Sequence, residues 1–441
     1  MMKILKFGGT SVGSAERMKK VADLIIRRGR GNVVVLSAMS GTTNSLLEIS
    51  DYYAQGNRAS ARAAIQRLRA KYIAHIEQLY STAEVRKRVA DFLEGVWRLL
   101  QSFAQTGYAE QAQKQIVAQG EIMSTNMMTA YLQERGAKAV LISALDFMRT
   151  DSQDEPDMTF IRSRFLPILE ANKEADVIIT QGFICQDADG RLSNLHRGGS
   201  DYTASLLGAA AKAEIIEIWT DIDGMHTSDP RFVEGTRPVH QLHFEEAAEL
   251  AYFGAKILHP TCILPAKFAG IPVRLLNTME PEAEGTLINN HFSNSGLKAM
   301  AAKDGITVIK IVSGRMLLAR GFLRKIFEIF ETHQTSIDMV TTSEVGVSIT
   351  IDDPSHLDDI QSDLRRYGTV ETDRDMCIIC VVGDLRLNQV GIEGRVAQAM
   401  GNIPIRMISY GGSNHNISFV VPAAYKQQAL QTLHSKLFVN D

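Results

Sequence analysis

Five short stretches of the chain combine residue types that could do chemistry together. In "KFGGTSVGS" an apolar run ends at Lys6 and Phe7, Gly8 and Gly9 free the backbone to turn, and Thr10, Ser11 and Ser14 supply hydroxyls before a helix. Bare amides, a helix N-terminus and a lysine in one place make an anion cradle. The spacing is not G-x-x-x-x-G-K-[ST], which argues against a P-loop. In "NLHRGGSDYTASL" Gly198 and Gly199 permit close backbone approach, Ser200 or Asp201 can cap the helix that follows, and Arg197 offers a planar fork for a carboxylate or phosphate. The same residues would serve a plain capped helix beside a surface arginine, and both readings stand on that segment alone. "QGEIMS" sets Glu121 among apolar neighbours on a helix, where a carboxylate is uncommon without a partner. "WTDIDGMHTSDPR" and "FGAKILHP" add a polar turn with Thr220, Asp221 and Arg231, and a lysine, Lys256. Jointly these residues point to nucleotide binding and phosphoryl transfer.

The elements that must hold them are legible in the periodicity. Short apolar strands alternate with helical patterns through the first 290 or so residues, as in "KILKFGG", "NVVVLSA", "AKAVLIS", "DVIITQGF" and "EIIEIWTD". That alternation predicts an α/β fold with a mostly parallel sheet covered on both faces, whose strand ends are where ligands bind. Between about residues 51 and 136 the strands stop and apolar spacings of three and four take over, which predicts an inserted helical subdomain. Expected domains are 1–292, then two small α+β modules at 293–375 and 376–441, interleaved through the C-terminal segment. The modules show as a weak repeat of strand, helix, strand, strand, helix: "VIKIVSG" with Gly321 and "SIDMVTTSEVGVSITID", then "CIICVVGD" with Gly391 and "IPIRMISYGGSNHNISFVVP".

Composition narrows the function classes. Lys plus Arg number 47 against 50 Asp plus Glu, a net charge of -3, so nothing pulls the chain toward nucleic acid or an anionic membrane. Four scattered cysteines argue against a disulfide framework and for a reducing, cytoplasmic setting. Cys377 and Cys380 form C-x-x-C, but "DMCIICVVGD" reads as a buried strand with no second Cys/His pair beside it. The N-terminal apolar run is too short for a signal peptide, and no segment approaches a membrane span.

With "KFGGTS", "VVVLSAMSGTTN", "QGEIMS", "RGGSDYTA", "WTDIDG", "TSDPR" and "FGAKILHP" in this order, the chain resembles the aspartate kinases of the amino-acid-kinase fold over essentially its whole length. Its tail is similar to that family's two ferredoxin-like ACT modules, and "ARGFL" and "SIDMVTTSEV" resemble the monofunctional lysine-sensitive type. The resemblance implies phosphorylation of L-aspartate by ATP with Mg²⁺, without a direct protein ligand to the metal. It implies that Lys6, Gly8, Gly9, Thr10 and Ser11 hold the ATP phosphates and that Thr43, Glu121, Arg197 and Ser200 hold aspartate. Asp201 would orient Lys6, with Lys6, Asp201 and Lys256 catalytic, while Thr220, Asp221, His226, Arg231, Lys256 and Ile257 would line the nucleotide. His196, His226 and Ala319 depart from the family pattern.

In the first module a helix opening at Gly321 faces a strand carrying Ser336 and Asp338, with Thr342, Ser343 and Glu344 in the next turn. A helix N-terminus suits a carboxylate and an acidic side chain suits an ammonium, so this module can clamp an amino acid. The resemblance makes that effector lysine, held at Met316, Gly321, Phe322, Leu323, Ser336, Asp338, Thr342, Ser343 and Glu344. Arg406 aligns with Asp338 in the second repeat, so the two modules should not hold one ligand alike. The alternative is that the modules only assemble the protein, and a homodimer or homotetramer through them is expected in either case.

Overall fold

The computed structural model describes residues 2–105, 110–195, 198–255, 259–293, 296–316, 320–385 and 390–439. Contacts divide it into two compact units, Met1–Gly224 with Leu258–Asn290, and Met225–Ile257 with His291–Asp441.

In chain order the first unit starts with β1 (Ile4–Phe7), α1 (Ala15–Arg27) and β2 (Asn32–Leu36). Four consecutive helices follow, α2 (Thr42–Ala54), α3 (Arg58–Leu79), α4 (Ala83–Ser102) and α5 (Glu110–Glu134). Then come β3 (Ala139–Leu141), α6 (Met158–Ala171), β4 (Val177–Gln181), the short pair β5 (Ile184–Gln186) and β6 (Leu192–Asn194), α7 (Gly199–Ala211) and β7 (Ile216–Thr220). β8 (Gln241–His243) and α8 (Phe244–Tyr252) belong to the second unit. α9 (Leu264–Ala269), β9 (Val273–Asn277) and β10 (Thr286–Asn289) complete the first.

Its sheet runs in the order β3-β4-β2-β1-β7-β9-β10 and is parallel except for β10 against β9. "ILKF", "NVVVL" and "VIITQ" are buried along their length, as strands covered on both faces must be. From β1 the chain passes to β2 on one side and later to β7 on the other, so the strand order reverses at β1, and the loops leaving β1, β2 and β4 open at one sheet edge. α1 is capped by the Ser14 side chain and buries Met18, Val21, Ala22 and Ile25, a three-and-four spacing that packs on the sheet. In α3 the buried positions Ala61, Ile65, Leu68, Tyr72, Ile76 and Leu79 repeat that spacing.

The second unit continues with β11 (Leu297–Val312), α10 (Phe322–Thr332), β12 (Val340–Thr342), β13 (Gly346–Ile351), α11 (Leu357–Leu364), β14 (Thr369–Gly383), α12 (Ile392–Ala399), β15 (Met407–Tyr410), β16 (Asn416–Pro422) and α13 (Lys426–Leu437). The repeated order of strand, helix, strand, strand and helix is present twice, in one antiparallel sheet of order β12-β13-β11-β14-β16-β15.

Two boundaries differ from the sequence expectation. The segment Met225–Ile257, placed by sequence in the domain 1–292, packs with the second unit: Phe232 and Val233 join the core of the second module, and Thr227 meets His434 at 2.9 Å. Interleaving of the modules runs through β11 rather than through the C-terminal segment. Residues Ala299–Lys303 pair with Ile378–Val382 and Met300 enters the second module's core, whereas Ile309 and Ile311 enter the first. A strand of sixteen residues is long enough to serve both cores, which local periodicity cannot reveal. Cys377 and Cys380 lie buried in β14, where residues three apart point to opposite faces and cannot share a ligand.

Candidate active site

Lys6 is the third residue of a buried strand, and its ammonium lies 2.7 Å from Asp201 Oδ1. Asp201 stands in the first turn of α7, where unpaired amides favour negative charge. The cap of this helix is neither Ser200 nor Asp201, as the sequence allowed, but Gly198, at a φ of 77 that side chains rarely adopt. Freed from capping, Asp201 faces the lysine. Beyond β1 the chain folds tightly, with Gly8 N–H donating to Trp219 O and Ser40 N–H donating to Gly9 O. A Cβ on Gly9 would sit 2.7 Å from the Ala38 carbonyl, and one on Gly182 would overlap the Ser200 side chain at 2.5 Å. Glycine therefore lets the loops after β1, β2 and β4 and the start of α7 converge.

They enclose a cavity of about 380 Å³ whose lining includes Lys6, Gly9, Thr43, Glu121, Ser200 and Asp201. Glu121 reaches it from α5. It is 4% exposed; Oε1 accepts from the Ala38 amide at 3.0 Å, and Oε2 has no hydrogen-bond partner among the described residues. Burial pushes its carboxyl up to about 7, against the opposing effect of the Ala38 amide. Thr43 is the second residue of α2, whose cap Gly41 has a φ of 76, and the neighbouring Thr42, which opens the helix, is held by Tyr72 at 3.1 Å. A carboxylate with one unpartnered oxygen and an ammonium lining the same cavity suit a small zwitterion approaching an anion.

Other expected residues are placed less simply. Ser11 is turned inward, its hydroxyl 2.7 Å from Thr278 and its amide donating to Gly8 O, so in this conformation neither is offered to the cavity. The Thr10 carbonyl accepts from Arg17. Thr220 ends β7 and donates to Asp221, which is exposed. His226 and Arg231 belong to the second unit, where His226 meets Thr236 at 3.2 Å and Arg231 forks onto Asp229, holding that carboxyl below its ordinary range. Arg197, Lys256, Ile257, His196 and Ala319 lie outside the described residues.

Sequence reasoning missed Phe183 and Lys71. Phe183 lines the cavity at a φ of 67, held by its amide donating to Thr203 Oγ1 at 3.0 Å. A bulky residue in that region is strained, and strain of this kind gathers at functional sites. Lys71 reaches from α3 to the Ser40 carbonyl at 2.6 Å. "TQGF" after a buried strand was the only available signal for the first, and the second depends on how a remote helix packs.

In the first regulatory module Gly321 caps α10 at a φ of 79, with Phe322 and Leu323 in its first turn and Met316 closing a short turn before it. Ser336 and Asp338 lie in irregular chain ahead of β12, not on a strand as the sequence suggested; Thr342 ends β12, and Ser343 and Glu344 form the turn to β13. The Asp338 side chain is buried and already partnered: Lys303 Nζ is 2.6 Å away, and the Tyr252 hydroxyl donates at 2.8 Å. Its Oδ2 has no hydrogen-bond partner among the described residues. The repeat is structural as well as sequential, because Asp338 N–H donates to Thr350 O while Arg406 N–H donates to Val420 O, and Arg406 pairs with Asp373. The charge at the equivalent position is reversed.

A reversing parallel sheet, Gly-rich turns at its strand ends and a buried lysine–aspartate pair define a phosphotransferase of the amino-acid-kinase class. The amino acid kinase family profile matches residues 1–277 and an ACT domain profile residues 379–437. The lysine-sensitive aspartokinase 3 of Escherichia coli K12 is 35% identical over 99% of each chain, and the chloroplastic aspartokinase 1 of Arabidopsis thaliana 36% identical over 99% of this chain and 80% of its own. Among solved structures, E. coli aspartokinase III with aspartate and ADP superposes with a TM-score of 0.85 at 34% identity, covering 99% and 100% of the two chains. The same enzyme with lysine and aspartate gives 0.81 at 35%, covering 99% of both. The chain belongs to the amino acid kinase family and, within it, to the aspartokinases.

Proposed function

We propose that this chain transfers the γ-phosphoryl group of ATP to the side-chain carboxylate of L-aspartate, giving 4-phospho-L-aspartate and ADP, the opening step toward the aspartate-derived amino acids. The observation that carries the reading is a cavity lined by both the Lys6–Asp201 pair and Glu121, whose Oε2 has no hydrogen-bond partner among the described residues.

A side-chain carboxylate with a pKa near ~4 is ionised at neutral pH, so the acceptor needs no general base. The obstacle is repulsion between two anions, and the site must supply positive charge where it develops. At an effective dielectric of about 20, one unit charge at ~4 Å contributes on the order of 4 kcal/mol. Lys6, held by Asp201, supplies such a charge beside the amides of the Gly8–Gly9 turn. Glu121 and Thr43 receive the aspartate ammonium and Ser200 lies beside the reacting groups; the role of Arg197 toward the substrate carboxylate rests on the resemblance alone. Thr220 and Asp221 stand at a strand end for the nucleotide. The roles of Thr10, Ser11, His226, Arg231, Lys256 and Ile257 rest on the resemblance alone. Mg²⁺, when bound, neutralises phosphoryl oxygens; Asp201 is committed to Lys6 and is not assigned to it.

Lysine is the proposed feedback effector, taken up by the first module at the Gly321 helix start and Asp338. The E. coli relative carries lysine sensitivity in its name and has been seen with lysine bound, which supports this reading. Lys303 occupies Asp338 Oδ1, so an incoming ammonium is expected to use the open Oδ2 or to displace Lys303. Assembly through the regulatory sheet is proposed because its edge strand β15 exposes Ile408 and Tyr410 beside unpaired backbone. No helix among the described residues is long and apolar enough to cross a membrane, and a cytoplasmic setting is proposed from the cysteine usage. The test is aspartate-dependent ADP release with trapping of the acyl phosphate as its hydroxamate. Release independent of aspartate, or without a trapped hydroxamate, would overturn the assignment.

A further inference from the structure

The first regulatory module holds a cluster that no part of the kinase reading uses. His333 caps the C-terminus of α10 and His356 caps the N-terminus of α11; Asp359 and Asp363 follow at three and seven residues, on the same face of that helix as His356. One ligand atom from each of His333, His356 and Asp359 lies within 4.8 Å of the other two. The two imidazole rings are 6.3 Å apart at 30°. Behind them, His333 Nε2 meets Asp363 Oδ2 at 3.0 Å, which fixes the ring, and Asp363 is itself tied to Arg366 at 3.1 Å.

We propose that His333, His356 and Asp359 form a binding site for a divalent transition-metal ion, Zn²⁺ being the representative. Two imidazoles and a carboxylate are the donors that suit Zn²⁺, Co²⁺, Ni²⁺ or Cu²⁺, whereas Mg²⁺ and Ca²⁺ prefer all-oxygen sets. A metal-ligating histidine whose other nitrogen meets a carboxylate is the usual supporting arrangement, and Asp363 supplies it. His356 and Asp359 are both exposed, and a bound ion would have to draw the ligand atoms together from their spread of 4.8 Å. Bound metal would clamp the end of α10 to the start of α11, bracing the module whose other end opens at Gly321.

The test uses the full-length chain without a histidine tag. Zn²⁺ is titrated in competition with a chromophoric chelator, Co²⁺ is followed by its visible absorption, and Tm is measured with and without Zn²⁺. The expected result is one tight Zn²⁺ per chain, a cobalt band, and a Tm rise that saturates with the ion. All three should disappear in His356→Ala and in Asp359→Asn, both surface changes that leave aspartate-dependent ADP release intact in metal-free buffer. Asp363→Asn should weaken the site about tenfold. Zn²⁺ stoichiometry and Tm shift equal in the wild type and in His356→Ala would overturn the proposal, as would the absence of any tight Zn²⁺ in the wild type.

Discussion

Lys6 and Glu121 are both ionisable and both nearly inaccessible, but burial acts on them in opposite contexts. Lys6 has its countercharge at 2.7 Å, while one oxygen of Glu121 waits for a partner. Lys6→Met is therefore expected to lower kcat by roughly a thousandfold with little change in the aspartate KM, since its charge is needed most as the phosphoryl group moves. A kcat within about threefold of wild type would remove it from the mechanism. For Glu121 the sign follows from its carboxyl being raised to about 7 in the folded chain, above the unfolded value of ~4.3. The native state then binds more protons than the unfolded state between those values, so this group's contribution to stability is greatest at low pH and is lost as pH rises through 7. Glu121→Gln should accordingly gain Tm relative to wild type as pH goes from 5 to 8, while its aspartate KM exceeds that of the wild type above about pH 7 and converges with it toward pH 5. In the wild type the KM should fall as pH rises through about 7, because only the carboxylate receives an ammonium. A wild-type KM flat from pH 6 to 8 would refute the contact.

Among elements, the start of α7 does the most positioning. It comes so close to the end of β4 that Gly182 has no room for a methyl group beside Ser200. Gly182→Ala is expected to displace the α7 N-terminus and with it Asp201, lowering kcat about tenfold or more while far-ultraviolet circular dichroism stays that of the wild type. Unchanged turnover would mean the helix start tolerates displacement. This element was only partly legible. The glycines and the polar pair announced a tight turn at a helix start, but that Gly198 would cap the helix and release Asp201 to Lys6 depends on a strand nearly two hundred residues earlier. Likewise, the buried setting of Glu121 was readable from its apolar neighbours, whereas the Ala38 amide that holds one of its oxygens comes from a different loop.

For the molecule as a whole, the tail is a duplicated unit with one charge reversed. Asp338 and Arg406 occupy matching places beside their central strands, so only the first module offers an ammonium a carboxylate there. Calorimetric titration with lysine is expected to find one site per chain, abolished by Asp338→Asn and insensitive to Arg406→Ala. Two equal sites per chain, or loss of binding on changing Arg406, would contradict the asymmetry. Tyr252→Phe removes the hydroxyl that donates to Asp338 Oδ1. It should shift the lysine concentration for half-inhibition several-fold while leaving uninhibited turnover near normal; an unaltered inhibition curve would show that this hydroxyl has no part in effector binding.

From the sequence alone came the α/β class, the strand-end turns, the helical insertion, the duplicated tail and six of the residues that line the candidate cavity, because periodicity, glycine and capping chemistry are local and survive without coordinates. Tertiary structure alone decided that Met225–Ile257 packs with the regulatory sheet, that β11 serves two cores, that Ser11 turns inward, and that Lys303 already sits on Asp338. Each of these depends on which distant side chain wins a buried partner. That outcome is set by the desolvation of groups brought together from far apart in the chain, and no window of neighbouring residues contains it.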